Sequence, residues 1–186
     1  MNIMDENSNK VEGEEKSASG LWEFVKVLII SVAIVLPIRA YVAQPFIVSG
    51  SSMEPNFHDG EYLVIDELSY QFRKPERGEV IVFRFPLNPR EFFIKRIIGL
   101  PGETIQIENS KIIIDGSLLS EPYLPATFET APDTKVTLLE NQYFVLGDNR
   151  GHSSDSRVWG VLERSKMMGR ALLRLWPLSR IGIINN

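Results

Sequence analysis

The stretch GEVIVFRFPLNPREFFIKRIIGLPG, Gly78–Gly102, decides how this chain folds. It holds two runs, Glu79–Phe85 and Phe92–Ile98, that are rich in β-branched and aromatic residues and are separated by prolines and an asparagine. Short runs of this composition between turn formers read as β-strands. Phe46–Val48, Tyr62–Ile65, Thr104–Ile107, Lys111–Ile114 and Tyr143–Leu146 have the same character. Glu108–Lys111 and the Asp115-Gly116 pair read as hairpin turns. The expected fold is therefore mainly β, an antiparallel β-sheet domain over residues 44–186. Residues 121–133, with Pro122, Pro125 and Pro132, read as a connector.

Upstream of that domain the composition changes twice. Residues 1–20 are rich in Glu, Ser, Asn, Lys and Gly and cannot bury enough apolar surface to fold alone, so they read as a disordered tail. Residues 21–43 invert this pattern, and Val27–Ile38 carries no charge. Twelve residues of helix rise only about 18 Å against a hydrocarbon core of about 30 Å. The flanks extend the span: Lys26 and Arg39 can snorkel outward, and Trp22 and Tyr41 suit the interfaces. A single N-terminal transmembrane helix over 21–43, set in a lipid bilayer, is expected in preference to a buried core helix, with Pro37 kinking or ending it. Cleavage as a signal peptide fits poorly, because a cut after Ala43 or Ala40 would put Tyr41 or Ile38 at the third-last position. Lys10, Lys16 and Lys26 before the span against Arg39 after it lean toward an inside amino terminus.

The composition excludes several functions. The chain has 186 residues, 20 basic and 24 acidic, for a net charge of −4, so a nucleic-acid partner is not expected. It has no cysteine, which rules out thiol catalysis and disulfides. Its two histidines, His58 and His152, stand among turn formers and read as surface residues. Without ligand spacing, no metal site is expected.

A serine hydroxyl is a poor nucleophile until a base removes its proton, and a lysine kept neutral by burial can serve as that base. Ser52, in Gly50-Ser-Ser-Met-Glu-Pro55, follows an apolar strand and a glycine that permits close backbone approach. Lys95 would share a strand face with Phe93 and Ile97. Periodicity does not choose between Lys95 and Arg96, but a guanidinium cannot shed its proton, so the chemistry selects Lys95. Lowering a lysine from about 10.4 to about 8 takes roughly 3 kcal/mol of differential interaction. The pairing suggests a serine/lysine hydrolase. A third segment, Gly147–Arg157, follows an apolar strand and combines two acids with two arginines. Asp155 can pair with Arg157 there, and hydroxyls can orient a neighbouring lysine.

Five blocks in order resemble the type I signal peptidases: the anchor, Gly50–Pro55, Arg77–Phe83, Lys95–Gly102 and Gly147–Arg157. The similarity runs from about Leu21 to Gly182 and suits the short, single-span form. The resemblance implies Ser52 as nucleophile, Lys95 as general base and Ser153 as the residue that orients the amine. It implies an Asp155–Arg157 ion pair behind the site, supported by Asp148 and Arg96. A groove of Phe46, Val48, Met53, Leu63, Val82, Phe93 and Ile94 would accept small residues at the last and third-last positions of a signal peptide. Gly50 stands where many relatives carry a serine that donates to the oxyanion, which leaves that task to backbone donors such as the Ser52 amide. The implied partners are signal peptides of secretory preproteins and the lipid bilayer, with no cofactor. The implied place is the cell membrane, single-pass, with the catalytic domain on the extracytoplasmic side. Two competitors are a self-cleaving repressor-type protease, which would carry a DNA-binding module, and an anchored β-domain that only binds.

Overall fold

The computed structural model describes residues 8–37, 44–125 and 127–184. The chain divides into two units, Met1–Tyr41 and Val42–Asn186. In the first, α1 (Ser8–Pro37) is a single helix. It takes in residues 8–20, which composition assigned to a tail; Glu, Lys and Ala are good helix formers and explain why the backbone is helical there. Residues 22–35 expose Trp22, Phe24, Val27, Leu28, Ile29, Ile30, Val32, Ile34 and Val35. Glu23 and Lys26, the charges within that stretch, pair at 2.8 Å. Among the described residues no helix is long and apolar enough to cross a membrane. The end of the expected span, 38–43, lies outside the described residues.

The second unit is built from antiparallel β-sheet, as the alternation of apolar runs and turns requires. Its strands and short helices are β1 (Gln44–Ile47), β2 (Tyr62–Asp66), α2 (Ser69–Phe72), β3 (Val80–Arg84), β4 (Phe92–Gly99), β5 (Thr104–Glu108), β6 (Lys111–Ile114), β7 (Ser117–Leu118), β8 (Thr134–Thr137), β9 (Gln142–Leu146), α3 (Ser156–Trp159), β10 (Leu162–Glu163), β11 (Met167–Trp176) and β12 (Gly182–Ile183). The larger sheet has the order β1-β2-β11-β3-β4-β9-β10, with β12 on β11, and the smaller has the order β7-β6-β5-β8.

Both expected hairpins form. Asn109 and Ser110 (φ 50° and 63°) join β5 to β6, and Asp115 and Gly116 (φ 47° and 82°) join β6 to β7. Positive φ at both central residues lets a two-residue turn follow the right-handed twist of its strands. The stretch that decides the fold becomes β3 and β4, paired with Ile81 opposite Lys95 and Val82 opposite Ile94.

Three apolar clusters hold the unit together. Val80 and Val82 of β3 join Val48, Met53, Phe57, Leu63, Ile65 and Ala171, while the alternate residues Ile81 and Phe83 join Ile97, Val145 and Leu162. Both faces of β3 are thus covered, so it reads as an unbroken apolar run. The third cluster seats the smaller sheet, through Ile105, Ile107 and Ile112, against Ile98, Phe144 and Leu146. Each such side chain contributes about 1.5–3 kcal/mol on burial.

Candidate active site

Ser52 is set in a tight turn whose geometry is fixed on both sides. Gly50 adopts φ +84°, a left-handed conformation that favours glycine, and its N–H donates to Asp59 Oδ1 at 2.7 Å. The next residues curl back, with Glu54 N donating to Ser51 O at 3.1 Å and Phe57 N to Met53 O at 2.9 Å. Met53 and Phe57 are buried in the core and pin the turn from below. From the loop after β9, Asn149 clamps it from above: its backbone N–H donates to Ser52 O and its side-chain amide to Ser51 O, both at 3.1 Å. Gly147 makes this approach possible. A Cβ there would sit 2.2 Å from Ser153 Oγ and 2.4 Å from Ser52 O.

Lys95 comes from the middle of β4 and is only 3% exposed. Its Nζ lies 2.8 Å from Ser52 Oγ and donates to Ile94 O, also at 2.8 Å. Burial lowers its pKa from the ordinary 10.5 to about 8, with the charges of Asp155 and Asp148 acting in the opposite direction. Both acids are fully buried and held by arginines. Arg96 donates through Nε and Nη2 to Asp148 at 2.8 and 2.6 Å, and Arg157 donates to Asp155 at 2.8 and 2.7 Å. Asp155 also caps α3 by accepting from Arg157 N, and it accepts from Gly147 N at 3.1 Å. These bidentate pairs give each buried carboxylate its counter-charge and hydrogen bonds together.

A groove of about 520 Å³ opens at the pair, lined by Phe46, Ile47, Val48, Ser49, Ser52, Leu63, Val82, Glu91, Phe92, Phe93, Ile94, Lys95 and Ser154. Six of the seven expected wall residues face it. Met53 does not: it is fully buried in the cluster beneath the floor, because the turn that lifts Ser52 out directs the next side chain inward. Ser153, expected to hydrogen-bond the lysine amine, instead has a buried hydroxyl without a partner. His58 and His152 are exposed. Among the described residues no cluster of acids and histidines could hold a metal ion.

Sequence reasoning missed Asn56, Glu121, Tyr123, Asn149 and Arg150. Arg150, also 3% exposed, donates to Gly147 O at 3.0 Å and pairs with Glu121. Its partner lies 29 residues away in a connector, at a spacing that carries no signal.

The matching sequences agree on what this arrangement belongs to. The signal peptidase family, peptidase S26, matches residues 21–176. The chain is 38% identical to probable signal peptidase I-2 of Synechocystis sp., across all of this chain and 86% of that protein. It is 39% identical to signal peptidase I of Leptolyngbya laminosa, over 91% of this chain and 86% of the relative. With signal peptidase I of Bacillus licheniformis it shares 35% identity over 90% and 97% of the two chains. The protein is a hydrolase of the peptidase class. It belongs to the signal peptidase family, peptidase S26.

Proposed function

We propose that this protein is a membrane-anchored signal peptidase that cleaves signal peptides from secretory preproteins, with Ser52 as nucleophile and Lys95 as general base. The observation that carries the reading is the 2.8 Å approach of Lys95 Nζ to Ser52 Oγ in a site dry enough to lower the amine to about 8. At pH 7 about one molecule in ten then holds a neutral amine, roughly three hundred times the fraction for an unperturbed lysine.

The extended substrate lies in the groove, and the outer edge of β1 is free to pair with it, since β1 bonds only to β2 among the described residues. Lys95 takes the proton of Ser52 Oγ as the oxygen attacks the scissile carbonyl. The resulting oxyanion meets the Ser52 N–H, for which no acceptor is found among the described residues. The ammonium returns its proton to the departing amine, which releases the mature chain. Lys95 then deprotonates a water that attacks the acyl-enzyme ester, and Ser52 regains its proton as the signal peptide leaves as a carboxylate. The apolar side chains exposed along residues 22–35 support a single-pass anchor with the peptidase unit on the extracytoplasmic side.

The test uses the full chain in detergent with a secretory precursor, the cut being mapped by mass spectrometry. Cleavage after a small residue is expected, with Ser52→Ala, Lys95→Ala and the double variant each losing nearly all turnover while staying folded. Turnover by Ser52→Ala at the wild-type rate rejects the mechanism.

A further inference from the structure

We infer that the connector between β7 and β8, through residues 121–125 and 127–131, is a strap that positions the dyad, with Glu121 and Tyr123 as its positioning residues, because three arginines from three separate elements behind Ser52 and Lys95 all end on it. The guanidinium of Arg96, from β4, stacks 4.0 Å from the centre of the Tyr123 ring while it holds Asp148. Arg150, from the loop after β9, is forked by both oxygens of Glu121 and donates to Thr130 Oγ1 at 2.7 Å. Arg157, from α3, donates to Ala131 O at 2.6 Å while it clasps Asp155. A fourth tie comes from the nucleophile's own turn, where Asn56 Nδ2 donates to Tyr123 O at 3.0 Å and to Asp148 Oδ2 at 2.8 Å. Within the strap, Tyr123 OH donates to Glu121 Oε1 at 2.6 Å.

Arg96, Arg150 and Thr130 are buried, so partners removed from them are not simply replaced by bulk water. The consequence reaches Lys95 through its surroundings. The amine faces the Ser52 hydroxyl, the Ile94 carbonyl, the Phe93 ring and two charged groups, Asp148 and Asp155. Each acid is neutralised by an arginine that the strap grips from the far side. Loosening the strap frees those arginines, leaves the acids less compensated and admits water. All three changes favour the ammonium over the free amine, so the base would be protonated at a pH where the intact enzyme works.

This inference rests on the serine/lysine reading, and its test separates the two. In the full chain, kcat and KM are measured from pH 6 to 10 on a peptide with alanine at the last and third-last positions, for wild type, Tyr123→Leu, Tyr123→Phe and Glu121→Gln. Tyr123→Leu and Glu121→Gln are expected to move the acidic limb up by about one pH unit and to lower kcat at pH 8 by about fivefold, with KM within about twofold. Tyr123→Phe keeps the ring over Arg96 and should return the limb toward the wild-type position. A limb that stays in place in both variants, with kcat falling only as the folded fraction falls, overturns the strap. If Tyr123→Leu does not fold, the isosteric Glu121→Gln carries the same test. A wild-type enzyme with no acidic limb between pH 7 and 9 instead rejects the dyad reading itself.

Discussion

Replacing Lys95 with methionine should remove activity, yet make the protein more stable at neutral pH and less stable at pH 10. Below pH 8 the lysine is protonated in both folded and unfolded chains, and the folded state bears the full cost of a buried ammonium. Moving the amine from 10.5 to about 8 corresponds to about 3 kcal/mol. Between those values the folded lysine has lost its proton while the unfolded one keeps it. The unfolded state then binds more protons, and stability rises with pH. Above 10.5 both forms are neutral and the cost is gone. Methionine carries no such cost, but it forfeits the hydrogen bonds to Ser52 Oγ and Ile94 O, about 1 kcal/mol each and nearly independent of pH.

The net expectation is a variant about 1 kcal/mol more stable than wild type at pH 7 and about 1 kcal/mol less stable at pH 10, with the two curves crossing near pH 9. Urea unfolding of the full chain in detergent, followed by tryptophan fluorescence at half-unit steps of pH, measures the difference directly, and titrations shared by both proteins cancel. A gap between wild type and Lys95→Met that stays constant from pH 7 to 10 would show that the amine titrates alike in both states. The neutral base would then lose its physical premise.

Gly147→Ala should lower kcat by about a hundredfold or more, since its new methyl would have to displace the Ser52 carbonyl or the Ser153 side chain; kinetics and a melting curve check this, and a wild-type rate would mean that the two loops part without consequence. A substrate with phenylalanine at its last position should be cleaved with kcat/KM at least about a hundredfold below its alanine counterpart, because the groove that ends at Ser52 and Lys95 is walled by Val48, Leu63, Val82 and Ile94. Equal cleavage of the two peptides would remove the groove from the reaction.

Much of this was legible in the sequence where local and tertiary preferences coincide. β3 through β6 follow β-branched runs between turn formers, and the meeting of Lys95 with Ser52 was expected from what each side chain can do chemically. β11 was not legible. Eight of the ten residues of Met167–Trp176 are Met, Arg, Ala or Leu, all good helix formers, yet it pairs with β2, β3 and β12 in the middle of the larger sheet. Burial between strands overrides its intrinsic preference. Gly169 marks the place, since a Cβ there would meet Asp66 O at 2.4 Å. Asn149 and Arg150 escaped for another reason: their partners, Ser51 and Ser52 for one and Glu121 for the other, are brought near only by the fold. The composition of Gly147–Arg157 announced a polar buttress without saying what it braces.

Lys95 and Arg96 show why the register of β4 matters to the chemistry. As consecutive strand residues they leave opposite faces of the sheet. One delivers an amine to Ser52, the other a guanidinium to Asp148, and both are 3% exposed. A slip of one residue would put Arg96 beside the serine, where a group that cannot lose its proton is useless as a base, and would leave Lys95 a single ammonium against an acid shaped for a fork. The strand is held against that slip on both sides, by Ile81 opposite Lys95 in β3 and by Leu146 opposite Arg96 in β9. Its far end is held by contact with the smaller sheet. The pairing with β9 shifts between Ile97 and Gly99, and at Gly99 a side chain would run into Ile105 at 2.7 Å and Leu138 at 2.8 Å. The smaller sheet, which contributes no residue to the groove, therefore bears on the proposed reaction through packing: it helps fix which of two adjacent basic side chains faces Ser52.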